Sequence, residues 1–138
     1  MSERIATLIL WVLAALMLFS GLRWFVEPEA AAAALGMPLL DGVARSTQIG
    51  DLSAYFFSLA ALLMLGLQTG RDSWLHAAAI LLGLTALMRT LAWLIHDAAL
   101  AGSLIAAELA LTIIILFAAR SRRSTPVALP AKRADAVD

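Results

Sequence analysis

The stretch WLHAAAILLGLTALMRTLAWLI, Trp74–Ile95, decides the fold. Arg89 is its only residue drawn from Asp, Glu, Lys and Arg. A helix crosses the hydrocarbon core of a bilayer with about 20 predominantly apolar residues, and this run is long enough. Three more runs follow the same pattern: Ile5–Val26, Ile49–Leu67 and Leu104–Ala119, the last interrupted by Glu108. With their flanks, the helices are expected over residues 5–26, 45–68, 73–96 and 103–119. Short connections between four such helices predict an up-down-up-down bundle. A soluble bundle would need a polar face on each helix, and these show only narrow polar stripes. The fold class is therefore all-α integral membrane.

Composition agrees. The chain is 62% hydrophobic and 14% charged, against about 45–50% and about 25% in soluble domains. The formal net charge is zero, which argues against nucleic acid as a partner. There is no cysteine, which excludes disulfides, thiolate metal sites and CxxC redox chemistry. His76 and His96 are twenty residues apart on one helix and cannot ligate one metal, so neither a metal nor a cofactor is expected. The first run is longer than a signal-peptide core and ends in Arg-Trp-Phe-Val, so it reads as a span.

The first loop carries its own signals. Glu27-Pro28-Glu29 and five alanines make a helix start with Pro at the first position and acids in the first turn. Gly36 can end it, and Met37-Pro38 prevents continuation. A short interfacial helix is expected over residues 28–35, acting as a connector or a lid. Residues 120–138 form a basic tail rich in Ser, Pro and Ala, without apolar periodicity and expected to be disordered. The four-helix domain is thus 1–119.

Seven of the ten basic residues (Arg4, Arg71, Arg120, Arg122, Arg123, Lys132, Arg133) fall on one side of the spans. The positive-inside rule then puts both termini in the cytoplasm. Ala-, Leu- and Arg-rich usage with a single lysine points to a bacterial genome of high GC content. Trp24 and Trp74 fall near opposite interfaces and read as belt anchors.

Asp51, Arg89 and Glu108 lie inside the spans, where ionisable residues are functional-site candidates by default. Arg89 is seven residues before His96, Glu108 six after Gly102 and Asp51 six after Arg45. At about 1.5 Å per residue, all three sit roughly 10 Å below the outer turns. Arg45, Gln48, Asp51 and Tyr55 follow one another at helical spacing, as do Thr85, Arg89, Trp93 and His96. Arg23 lies near the outer end of the first helix. Two readings compete. The charges can be an ion network that fixes helix register. Alternatively, Arg23, Arg45, Gln48, Asp51, Tyr55, Arg89, Trp93, His96 and Glu108 line a pocket for a small amphiphile.

The segments Gly21-Leu-Arg-Trp-Phe25, Gly36-Met-Pro-Leu-Leu-Asp-Gly42, Arg45-Ser-Thr-Gln-Ile-Gly-Asp51 and Met88-Arg-Thr-Leu-Ala-Trp93 resemble a family of small bacterial inner-membrane proteins of unknown function, DoxX-like in general plan. The resemblance spans roughly residues 5–119, with R-x-x-Q-x-x-D its most specific piece. It implies a four-helix fold and, through DoxX-like proteins, partnership with a redox complex. A more distant, architectural likeness is to the EXPERA group with its sterol isomerases.

Three functions follow. The first is binding of a lipid-like or quinone-like amphiphile, with its head on Asp51, Arg89 and Glu108. The second is a membrane enzyme such as an isomerase, with Asp51, Glu108 or His96 as acid or base. The third is an accessory or structural subunit, alone or with a second copy. A proton-coupled transporter would need a polar route through the cytoplasmic half, which is nearly all Leu, Ala, Ile and Met. The bilayer is a partner in every case.

Overall fold

A computed structural model describes residues 2–123. The helices are α1 (Glu3–Val26), α2 (Pro28–Ala34), α3 (Gly42–Thr69), α4 (Asp72–His96) and α5 (Gly102–Arg123). There is no strand among the described residues. The four long helices are each apolar enough to cross a membrane. Helix α5 runs four residues beyond the expected end at 119, through the basic start of the tail. The rest of the expected tail, from residue 124, lies outside the described residues.

Local chemistry sets the ends. The Ser2 hydroxyl accepts from the Ile5 amide at the start of α1, meeting one of the four free amides there. Pro28 opens α2, and the chain turns out of it at Gly36 with φ of 72°. Gly70 ends α3 at φ of 67°, a left-handed conformation that costs glycine nothing.

The helices form a ring in which α1 packs on α3 and α5, and α4 packs on α3 and α5. Tyr55 meets Thr85, and Gly66 meets Leu75. Residue numbers that fall on α3 while rising on α4 make this pair antiparallel. Arg89 meets Glu108 and Gly83 approaches Thr112, which makes α4 and α5 antiparallel too.

The packed core lies in the half of the bundle away from α2. Leu10, Leu59, Leu63, Leu75 and Ile115 are fully buried there, among Ala6, Ala14, Ala78, Ala79, Ala118 and Ala119. Alanine-rich contacts suit helices in lipid, where close van der Waals approach replaces the hydrophobic drive. At the other end, α2 docks its Ala31 and Ala32 methyls on Trp24, with Leu52 and Phe56 beside them. Trp24 is only 2% exposed. It is therefore a core residue under α2, not the belt anchor that its position suggests.

The outward faces are apolar. No more than 28% of the residues in any span are buried inside the protein. Leu8, Val12, Phe19, Ile80, Leu84, Ile113 and Phe117 are among the exposed large side chains. Exposed apolar surface on this scale, around four spans, is what lipid covers. The chain is a multi-pass integral membrane protein.

Candidate functional site

The α4–α5 hairpin positions the first pair. A Cβ on Gly83 would lie 3.8 Å from Thr112 Cγ2, so the two helices run close at this level. The register brings Arg89 opposite Glu108, and Arg89 Nε donates to Glu108 Oε1 at 2.9 Å. The side chains are 28% and 12% exposed. This is the one hydrogen bond Arg89 makes among the described residues, so its two terminal nitrogens stay unpaired. Glu108 Oε2 is buried without a hydrogen-bond partner among the described residues.

A second polar pair joins α3 to α4 one turn further into the bundle. Tyr55 Oη lies 3.0 Å from Thr85 Oγ1. Thr85 donates its hydroxyl proton to the Leu81 carbonyl at 2.8 Å. A threonine hydroxyl has one proton, so with that proton on Leu81, Tyr55 is the donor to Thr85. The Tyr55 oxygen keeps its acceptor lone pairs.

Both pairs border one cavity of about 200 Å³. Met17 of α1 and Leu82 and Leu111 lie toward the packed core. Leu35, just past α2, and Leu104 lie toward the α2 end. Leu52 and Phe56 of α3 complete the apolar wall. The cavity is therefore an apolar chamber with four polar side chains: Tyr55, Thr85, Arg89 and Glu108. Ligand pockets commonly measure about 300–1,000 Å³. This one has room for a head group and a short part of a chain.

Asp51 does not join this cluster. It is exposed and makes no hydrogen bond or ion pair among the described residues. Helical geometry gives the reason. A three-residue step falls short of a full turn by about 60°. Gln48 is buried, as are Leu59 and Leu63 further along. Asp51 is one such step away from Gln48, on the side opposite Leu63. Tyr55, four residues on, turns part of the way back.

Gln48 and Arg45 have a different task. Gln48 Oε1 accepts from the Leu40 amide at 2.9 Å, and its Nε2 donates to the Pro38 carbonyl at 3.1 Å. Arg45 donates from Nε to the Leu40 carbonyl and from Nη2 to Asp41. Together they fasten residues 37–41 to the first turns of α3. Losing such a partner leaves a part-buried backbone group unmet, at about 1–3 kcal/mol.

The remaining expected residues also lie outside the cavity wall. Trp93 is 43% exposed. His96 is exposed at the end of α4. Arg23 lines a smaller cleft beside Trp24 and stands 3.9 Å from Glu27. Of the nine residues proposed from sequence, Tyr55, Arg89 and Glu108 share the cavity. Thr85 is the polar member not among them. Its signal was available, since it lies one helical turn from Arg89 on the same face.

No family model matches the chain, nor does any curated protein or solved structure.

Proposed function

We propose that this membrane protein binds the polar head of a small amphiphile in the cavity bordered by Tyr55, Thr85, Arg89 and Glu108. One observation carries the reading. The Arg89–Glu108 pair stands in a cavity wall with Glu108 Oε2 unpaired. A pair that served only as a clamp would be expected in close-packed surroundings with its lone pairs met. The volume of about 200 Å³ takes a head group, so the tail of the amphiphile extends beyond the cavity into the apolar surroundings.

Native mass spectrometry after purification in mild detergent tests this. The expected result is a bound small molecule on the wild-type chain and none on the Arg89→Met/Glu108→Leu variant. A wild-type chain that carries nothing, across several mild detergents, would sink the reading.

A second reading has its own support. The Arg89–Glu108 contact spans α4 and α5, so it also ties those helices together as an accessory subunit would require. Catalysis at Glu108 is a further elaboration of the same site, and the DoxX-like assignment remains a proposal resting on its four segments.

Orientation follows from the basic residues. The turn at Arg71 and the basic end of α5 face the cytoplasm, and α2 lies at the outer interface of a bacterial inner membrane. The cysteine-free sequence makes a labelling test clean. Ser103→Cys should react with a membrane-impermeant maleimide added outside, and Ser73→Cys should react only after permeabilisation. The reverse pattern would invert the topology.

A further inference from the structure

We infer that the head group in this cavity is uncharged and carries a hydrogen-bond donor, as an alcohol or a quinol does. The inference rests on the pocket reading above and follows from the hydrogen-bonding atoms that the walls leave unused.

Charge comes first. Among the described residues, Arg89 and Glu108 are the only charged ones in the cavity wall, and they are paired. Their charges cancel. An ionic head would add a third, uncompensated charge in apolar surroundings, which is costly. A cation would meet Arg89 beside Glu108, and an anion would meet Glu108 beside Arg89.

Donor and acceptor counting sharpens this. A carboxylate paired with a guanidinium accepts hydrogen bonds and donates none. Glu108 Oε2 is therefore an unmet acceptor. The Tyr55 proton is committed to Thr85, and the Thr85 proton to Leu81, so Tyr55 Oη also offers only acceptor capacity. The unused donors are the terminal nitrogens of Arg89. An alcohol matches this set once the Glu108 carboxylate turns to bring Oε2, which is buried as it stands, to the cavity: its proton goes to Oε2, and its oxygen accepts from Arg89. A ketone, an ester or an oxidised quinone has only acceptors and leaves Oε2 unmet. Of a quinone–quinol couple, the reduced form fits.

The test uses four photoactivatable probes with one shared diazirine-bearing chain and different heads: primary alcohol, methyl ester, sulfonate and trimethylammonium. The full chain is placed in phosphatidylcholine nanodiscs, and labelled peptides are mapped by mass spectrometry. The alcohol should label cavity residues such as Leu35, Leu104 and Leu111 about tenfold better than the ester, a difference of about 1.4 kcal/mol.

Glu108→Gln gives the sharper result. Arg89 keeps the amide oxygen facing it, so an NH₂ donor replaces the Oε2 acceptor. The order of alcohol and ester should then reverse. Equal cavity labelling by all heads, a leading ester or ionic probe, or an unchanged order in Glu108→Gln overturns the head-group assignment and leaves the pocket standing. Failure of every probe to label the cavity overturns the pocket reading itself, and this inference with it.

Discussion

Glu108→Leu, with Arg89 retained, should destabilise the protein by about 3–5 kcal/mol, the cost of breaking a buried pair from one side. The guanidinium would lose its only hydrogen-bonded partner among the described residues while still in a cavity wall shared with Leu82, Leu104 and Leu111. Its long stem lets it reach toward the α2 end, which moderates the loss. Arg89→Met/Glu108→Leu should recover most of the stability, because two packed apolar side chains can replace an ion pair at little cost. Reversible unfolding of single and double variants in bicelles measures the cycle. The coupling energy separates the pair from its parts.

The double variant also divides the two functional readings. A structural clamp predicts that the double variant regains both fold and partner association. A ligand site predicts a chain that folds but binds no amphiphile. A stable double variant that still retains a small molecule would remove Arg89 and Glu108 from the binding site. A double variant no more stable than Glu108→Leu would show that neighbouring helices need the pair itself.

The spans were legible because each is a run of about 20 apolar residues and lipid demands no further pattern. The meeting of Arg89 and Glu108 was legible as well, since a tight antiparallel hairpin converts residue counts into depth. Depth, however, says nothing about rotation. Asp51 lies at a depth compatible with the pair but faces outward, because each step of three winds the stripe around α3. The R-x-x-Q spacing was visible, yet its partners Pro38, Leu40 and Asp41 belong to a loop whose path no periodicity describes. Trp24 was read from its depth, and its burial comes from α2 folding back over it. A pocket was expected from the polar faces, but its apolar wall of Met17, Leu35, Leu52 and Phe56 was not legible in any run. The cavity arises where the large apolar side chains of the core give way to polar ones toward the α2 end.

Gly66→Leu should lower stability by about 3 kcal/mol or more, or prevent assembly of the bundle. Overpacking usually costs about 1–3 kcal/mol, and here the space is shorter than usual. A Cβ at Gly66 would lie 2.5 Å from Leu75 Cδ2, 2.7 Å from Leu75 Cγ and 3.5 Å from the Leu75 amide nitrogen. Leu75 is fully buried in the core, so its side chain cannot swing away without disturbing Leu10, Leu59 or Leu63. The Gly66 carbonyl also accepts from Arg122 at 3.3 Å, so a shift of α3 would strain its contact with α5. Even Gly66→Ala should be net destabilising, because overpacking outweighs the gain of about 1 kcal/mol in helix propensity. Gly66→Ala/Leu75→Ala should be less destabilised than the two single effects predict, since the truncated side chain makes room. Gly50→Ala supplies the contrast. Beyond its own stretch of helix, a Cβ there would meet nothing within 4 Å among the described residues, so propensity acts alone and the variant should be stabilised by up to about 1 kcal/mol. If Gly66→Ala and Gly50→Ala shift unfolding equally, close approach of α3 and α4 is not what requires glycine at residue 66.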